Sequence, residues 1–284
     1  MALVVVVPGP GHPVPDSSAS DTRSGRGLLP QQRVAASLAS SVRAVRGRVP
    51  PPDRISVLGF DDLFEQAGSR APDRSDRPPE LAGELLFGWW LAETRIGRRD
   101  GAAAADPAPP DPARLVRELS ASAFFRDAAG SPELEAEALS RYLTDLKLRH
   151  RIRDRVQAAI LPTTRVVIGH GMGALAAYEA LCVLGDTVCV TFVTLGAPLC
   201  GPEPVFARLE PPPRHRQGHW PPSVRRWFNI VADCDPTALT APALTERFGP
   251  GIEDEIVEVK STCGDVYQYL LDRATGRAVA AGLG

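Results

Sequence analysis

A serine set between glycines two residues away on either side, G-x-S-x-G, presents its hydroxyl at the apex of a tight strand-to-helix turn, poised to attack an ester or amide carbonyl. Residues 169–173 of this 284-residue chain, Gly169-His170-Gly171-Met172-Gly173, keep that pattern everywhere except its centre. Gly171 has no side chain and so no nucleophile. Gly169 and Gly173 stand where close strand–helix packing calls for small residues. The same string satisfies the dinucleotide fingerprint G-x-G-x-x-A through Ala174. That fingerprint needs an acidic residue at the end of the next strand to hold a ribose. Here the next strand ends Thr194-Leu195-Gly196, and Asp186 precedes it, so no nucleotide cofactor is expected. Three glycines at a helix N-terminus still offer N–H groups to a small anion. His215 and His219 have metal-ligand spacing, but they lie on a proline-rich loop without two further ligands. They read as solvated histidines, and no metal is expected. Cys263 is a stray candidate thiol with no histidine near it in sequence to activate it.

The elements that would position these residues follow from hydropathy patterning. Residues 2–7, ALVVVV, form a continuous β-branched run ended by Pro8-Gly9, which predicts a strand buried on both faces. Residues 9–30 read as a loop. Val34, Leu38, Val42 and Val45 recur at helical spacing, and 55–60 read as a second strand. Residues 68–80 are polar and Pro-rich, and 98–112 are low-complexity and read as a surface linker. Helical patterns occupy 81–96, 112–126 and 132–160, the last with Leu139, Tyr142, Leu143 and Leu146 on one face. Strands are predicted at 165–169, 187–195, 226–232 and 255–260, with a helix at 173–184. The Pro-rich interval 201–222 reads as a structureless flap. Buried-type strands alternating with helices predict an α/β fold: a three-layer sandwich with a mainly parallel sheet and helices on both faces. We expect a single domain over 1–284, with a helical insertion at about 81–160.

Composition narrows the function classes. The 32 basic and 34 acidic residues are balanced, which gives no field to recruit nucleic acid or an anionic membrane. Arg149–Arg155 and Arg225-Arg226 read as solvated faces. No stretch approaches the ~18 apolar residues of a membrane span. The start, MALVVVVPGP, lacks the basic region of a signal peptide. Five cysteines without a C-x-x-C pair read as reduced thiols, and the expected location is cytoplasmic.

Four segments in order resemble bacterial α/β-hydrolases of the lipase/esterase type. They are the opening strand LVVVVPGPGH, the turn segment VVIGHGMGALAAYEAL, VTFVTLGAPL (190–199), and WFNIVADCDPTAL (227–239). ISVLGFDDLF resembles a second-strand pattern of some actinobacterial members. The resemblance implies an α/β-hydrolase-like fold with Asp235 at the position of the catalytic acid and Asp233 as the nearby alternative. The family histidine follows the last strand in a string ending Y-L. Anchoring on Tyr269-Leu270 puts Gly264 there, and no histidine follows His219. Nucleophile and base are both absent, so Gly171, Asp235 and Gly264 are vestigial positions.

The implied protein is an inactive pseudo-hydrolase with no expected catalytic residues and no cofactor. It acts by binding a partner protein, such as an active homologue, or a small ligand in the vestigial cleft at Pro8, Gly9, His170, Gly171 and Met172. The partner surface is placed at Trp89-Trp90 or the 201–222 flap. The alternative is an enzyme of the same fold using Asp235 with a relocated nucleophile or in non-hydrolytic acid/base chemistry.

Overall fold

Valine runs with no polar interruption can be accommodated only where both faces of a strand are covered, and the opening of the chain is such a run. A computed structural model describes residues 2–10, 30–68, 79–96, 110–126, 131–188, 190–239, 243–259 and 263–284. The expected loop, polar and linker stretches at 9–30, 68–80 and 98–112 fall largely outside these residues. β1 (Val4–Val7) is fully buried. So are β3 (Val166–His170) and β4 (Val190–Leu195). β2 (Ile55–Val57), β5 (Val224–Ala232) and β6 (Ile252–Val257) complete a six-stranded, all-parallel sheet in the order β2-β1-β3-β4-β5-β6. Among the described residues eleven α-helices flank it, giving an α/β three-layer architecture.

The chain steps from β1 to β2 in one direction and from β3 through β6 in the other. Parallel crossovers are right-handed, so the reversal sends α1 (Pro30–Ala44) and α7 (Met172–Leu184) to opposite faces. α1 packs on α10 (Val266–Leu271) and on α11 (Arg273–Leu283), which crosses β3, β4 and β5. α7 covers β1 and β3 and carries α6 (Leu146–Ala159) on its back. Between β2 and β3 come α2 (Asp61–Gly68), α3 (Pro79–Ile96), α4 (Pro112–Ser120), α5 (Pro132–Thr144) and α6. α8 (Glu203–Phe206) and α9 (Leu244–Phe248) flank β5.

Several expectations are corrected. The helical pattern over 132–160 is two helices, because Asp145 leaves helical geometry and accepts hydrogen bonds from the Lys147 and Leu148 N–H groups at the start of α6. Leu146, expected on the buried stripe, is therefore exposed. Trp89 and Trp90 are both buried, Trp90 donating its indole N–H to Glu118, so neither presents an aromatic surface to a partner. The 201–222 interval is not structureless. It contains α8, the Tyr178 hydroxyl donates to the His219 carbonyl, and the Trp220 indole donates to the Val224 carbonyl. None of its residues lines the cavity described below. No helix of the described residues is long and apolar enough to cross a membrane.

A buried ion pair fastens that interval to the helical layer. Glu179 on α7 accepts from both Nε and a terminal nitrogen of Arg149, from the Tyr142 hydroxyl at 2.7 Å and from the Glu210 N–H at 3.3 Å. Arg149 also donates to the Arg208 carbonyl at 2.7 Å. Removing one partner of such a pair strands a charge with no water to solvate it. Arg149→Met is expected to lower the unfolding free energy by about 3–5 kcal/mol in urea titrations, and Arg149→Met with Glu179→Leu to recover much of the loss.

Candidate functional site

Open parallel sheets bind ligands beyond the C-terminal ends of their strands, where neighbouring strands send their helices to opposite faces. Here that place lies between β1 and β3. β1 leads into Pro8-Gly9-Pro10, β3 into Gly171, β4 into Gly196, and β5 into the turn carrying Asp235 and Thr237. Trp89 of α3, Phe124, Glu135 and Leu139 of α5, and Gly264 ahead of α10 close the far side. The cavity is about 60 Å³ and is partly open.

Gly171 is the apex. β3 ends at His170, α7 begins at Met172, and Gly171 takes φ 53° and ψ −130°. A side chain in that conformation is strained. Its N–H donates to the Leu195 carbonyl at 3.0 Å, which fixes the turn to β4. A Cβ built on Gly171 would meet nothing within 4 Å, so the apex faces open space. Its neighbours are crowded instead. A Cβ on Gly173 would collide with the Val7 and Pro8 carbonyls, and one on Gly169 would come within 2.5 Å of the Ala174 Cα.

The structure brings Gly9, His170, Gly171, Met172, Asp235 and Gly264 to this one cavity. Pro8 is the exception: it stands behind Gly9, against Gly173, and does not line the space. Asp233 lies on the β6 side, its N–H bonded to the Val257 carbonyl. Asp235 is buried, and its lone pairs are occupied. Oδ1 accepts from the Thr237 hydroxyl at 2.6 Å, the Thr237 N–H at 2.9 Å and the Ala238 N–H at 3.3 Å. Oδ2 accepts from the Tyr269 hydroxyl at 2.9 Å. Burial pushes this carboxyl up to about 6 against those hydrogen bonds, which favour its charged form. Gly264 has Phe124 where a side chain would go: a Cβ there would sit 3.2–3.5 Å from three ring atoms.

Cys234 and Cys263, next to Asp235 and Gly264, form a disulfide with Cα atoms 6.2 Å apart. This overturns the reading of the cysteines as a reduced set, and it removes Cys263 as a nucleophile. Cys189 lies outside the described residues. Cys182 and Cys200 are free, with burial pushing both thiols up to about 12. The exposed His215 and His219 hold no metal-binding arrangement, and no group of three metal-ligand residues exists among the described ones.

Glu135 is the site residue that motif reading passes over. Its carboxyl is pushed up to about 8, first by burial and then by the charge of Asp235. Glu93 on α3 is raised for the same two reasons, and its Oε2 is buried with no hydrogen-bond partner. The signal in the sequence is faint but physical. Glu135 stands four residues before Leu139, so an acidic residue extends the apolar stripe of α5.

Chemically, the cavity holds carboxyl groups, one imidazole, the Thr237 hydroxyl and an aromatic wall. Among the described lining residues there is no serine and no cysteine. The N-terminus of α7 adds the partial positive charge of its first turn. No family model matches the chain, and no curated protein or solved structure gives a significant match to it.

Two expectations follow. Gly171→Ser has room for its side chain but not the backbone conformation, so it should fold with a loss of about 1–3 kcal/mol. Combined with Gly264→His it should still not hydrolyse p-nitrophenyl acetate, because the Phe124 ring holds the imidazole's place and Tyr269 holds Asp235.

The second concerns pH. Glu135 holds its proton more tightly in the folded protein, so its contribution to stability is complete below 4.5 and lost as pH rises through about 8. In thermal melts, Glu135→Gln should match the parent near pH 4.5. It should gain on the parent by at most about 1.4 kcal/mol per pH unit up to about pH 8.

Proposed function

We propose that this chain is a member of the α/β-hydrolase group that has lost hydrolysis and works by binding a small molecule in the cavity at the Gly171 apex. The observation that carries the reading is the apex itself. The turn retains a strained nucleophile conformation, yet it carries no side chain and opens on empty space rather than on packed protein. A scaffold kept only for a protein partner has no need of a hollow there, and filling a hollow adds stability. The polar lining favours the same reading, since isolated carboxyls beside an empty space cost stability unless something pairs with them.

The ordered resemblance to lipases and esterases supports the family. The glycines at 171 and 264 and the engaged Asp235 support the loss of acyl transfer. A relocated nucleophile has little to draw on, because the lining hydroxyl, that of Thr237, is committed to Asp235 at 2.6 Å. A partner-protein role loses the surfaces first suggested for it, with the tryptophans buried and the 201–222 interval anchored. The cytoplasmic expectation loses its thiol argument with the Cys234–Cys263 bond.

The test is a panel of fragments of a few heavy atoms, charged and neutral, followed by thermal shift and ligand-observed NMR. At least one should saturate the parent, and Leu139→Phe, which fills the cavity wall, should abolish that saturation without changing the fold. Ligand at 100 times its Kd would stabilise the protein by about 2.7 kcal/mol. Fluorophosphonate should label no residue. Covalent labelling, or a panel with no saturating fragment, would defeat the proposal.

A further inference from the structure

We infer that the ligand of this cavity is a small organic ammonium ion, held by the Glu135 carboxylate against the Trp89 and Phe124 rings. The inference rests on the reading of the cavity as a binding site and names the chemistry of its occupant.

The argument begins with which polar groups are already used. Asp235 spends its lone pairs on Thr237, Ala238 and Tyr269. Glu135 lines the same space, and among the described residues its carboxyl has no hydrogen-bond partner. Among the described residues the acidic charges around it are of its own sign. Asp235 faces it from the turn after β5, and Glu93 stands on α3, with His170 at the end of β3. The remaining charged groups nearby are engaged elsewhere. On α4, Glu118 pairs with Arg114 and Trp90, and on α6, Arg149 pairs with Glu179. Among the described residues no lysine or arginine lines the cavity. A half-buried carboxyl whose charged neighbours among the described lining residues are acidic favours an occupant that brings positive charge.

The remaining wall selects the kind of cation. Trp89 and Phe124 are buried aromatic side chains, and aromatic faces attract organic ammonium groups while satisfying their carbon substituents. A hydrated metal ion gains nothing from them, and no cluster of three metal ligands is present among the described residues. Size limits the ion further. One water needs roughly 10–15 Å³ on this scale, so about 60 Å³ admits an ion of roughly five non-hydrogen atoms. The α7 N-terminus repels a cation, so the ammonium centre belongs on the Glu135 side and the uncharged end towards Gly171.

Binding then requires Glu135 to give up its proton, which it holds up to about pH 8. Affinity for an ammonium ion should rise about tenfold per pH unit towards that value, and binding at neutral pH should release close to one proton. Tetramethylammonium is a suitable probe because it has no proton of its own. tert-Butanol is its neutral counterpart in size, and propionate the anionic one. By isothermal titration calorimetry, tetramethylammonium should bind the parent more tightly than either. The heat should depend on the buffer's ionisation enthalpy. Glu135→Gln, an uncharged isostere expected to fold at least as well, should lose at least tenfold in affinity and flatten the pH slope.

Unchanged affinity in Glu135→Gln, or affinity that falls as pH rises towards 8, would overturn the inference. Saturation by tert-butanol or propionate in preference to the cation would overturn the ligand class and leave the binding reading standing. Failure of all three probes and of the wider fragment panel would overturn both.

Discussion

The N-terminus of α7 can lie against the end of β1 only because residue 173 has no side chain. The Val7 and Pro8 carbonyls occupy the space a Cβ would need, and on the opposite side of the turn Gly169 meets the Ala174 backbone. This close approach joins the two strands at which the sheet order reverses, and so it creates the crevice between helices sent to opposite faces. Everything at the site is hung on that contact. The Gly171 apex, the cavity beneath it, and the positive end of α7 aimed at its rim all follow once the backbones touch.

Around that fixed centre the surrounding groups are tied to one another. Asp235 joins the turn after β5 to Tyr269, whose hydroxyl also accepts from the Ala232 N–H at 3.0 Å. The disulfide of Cys234 with Cys263 ties the same two loops covalently. Closing a loop of 29 residues removes chain entropy from the unfolded state worth roughly 3.6 kcal/mol. The two loops are thus held together twice, and Phe124 packs against Gly264 beside them.

Much of the frame was legible in the residues. The valine run of β1, the apolar runs of β3 and β4 and the glycine spacing at 169–173 each have one physical solution, a strand buried on both faces running into a tight turn. That is why the parallel α/β architecture is legible in the sequence. What could not be read depends on pairing across long distances. Cys234 and Cys263 have no spacing signature, so their bond is visible only once the fold places their Cα atoms together. The order in 201–222 comes from Arg149 and Tyr178, which lie earlier in the chain and give no hint in the proline-rich segment itself. Edges shifted for local reasons. β6 runs over 252–257 rather than 255–260, and as an edge strand with exposed Glu253, Asp254 and Glu255 it lacks the apolar pattern that marks the inner strands.

Glu135 shows where sequence logic and function part. A leucine at that position would continue the stripe through Leu139, fill part of the cavity and relieve the repulsion from Asp235. The carboxyl instead raises the cost of folding at neutral and alkaline pH, because burial and the charge of Asp235 oppose its ionisation. Proteins keep such locally destabilising groups at sites where a ligand or a reaction repays the cost. Asp235 adds to this cost through its charge, while its own oxygens are engaged by Thr237, Ala238 and Tyr269. Glu135 lies on α5, away from both the glycine turn and the Asp235 turn, so the chemistry of the cavity is set as much by a residue outside the motifs as by those inside them.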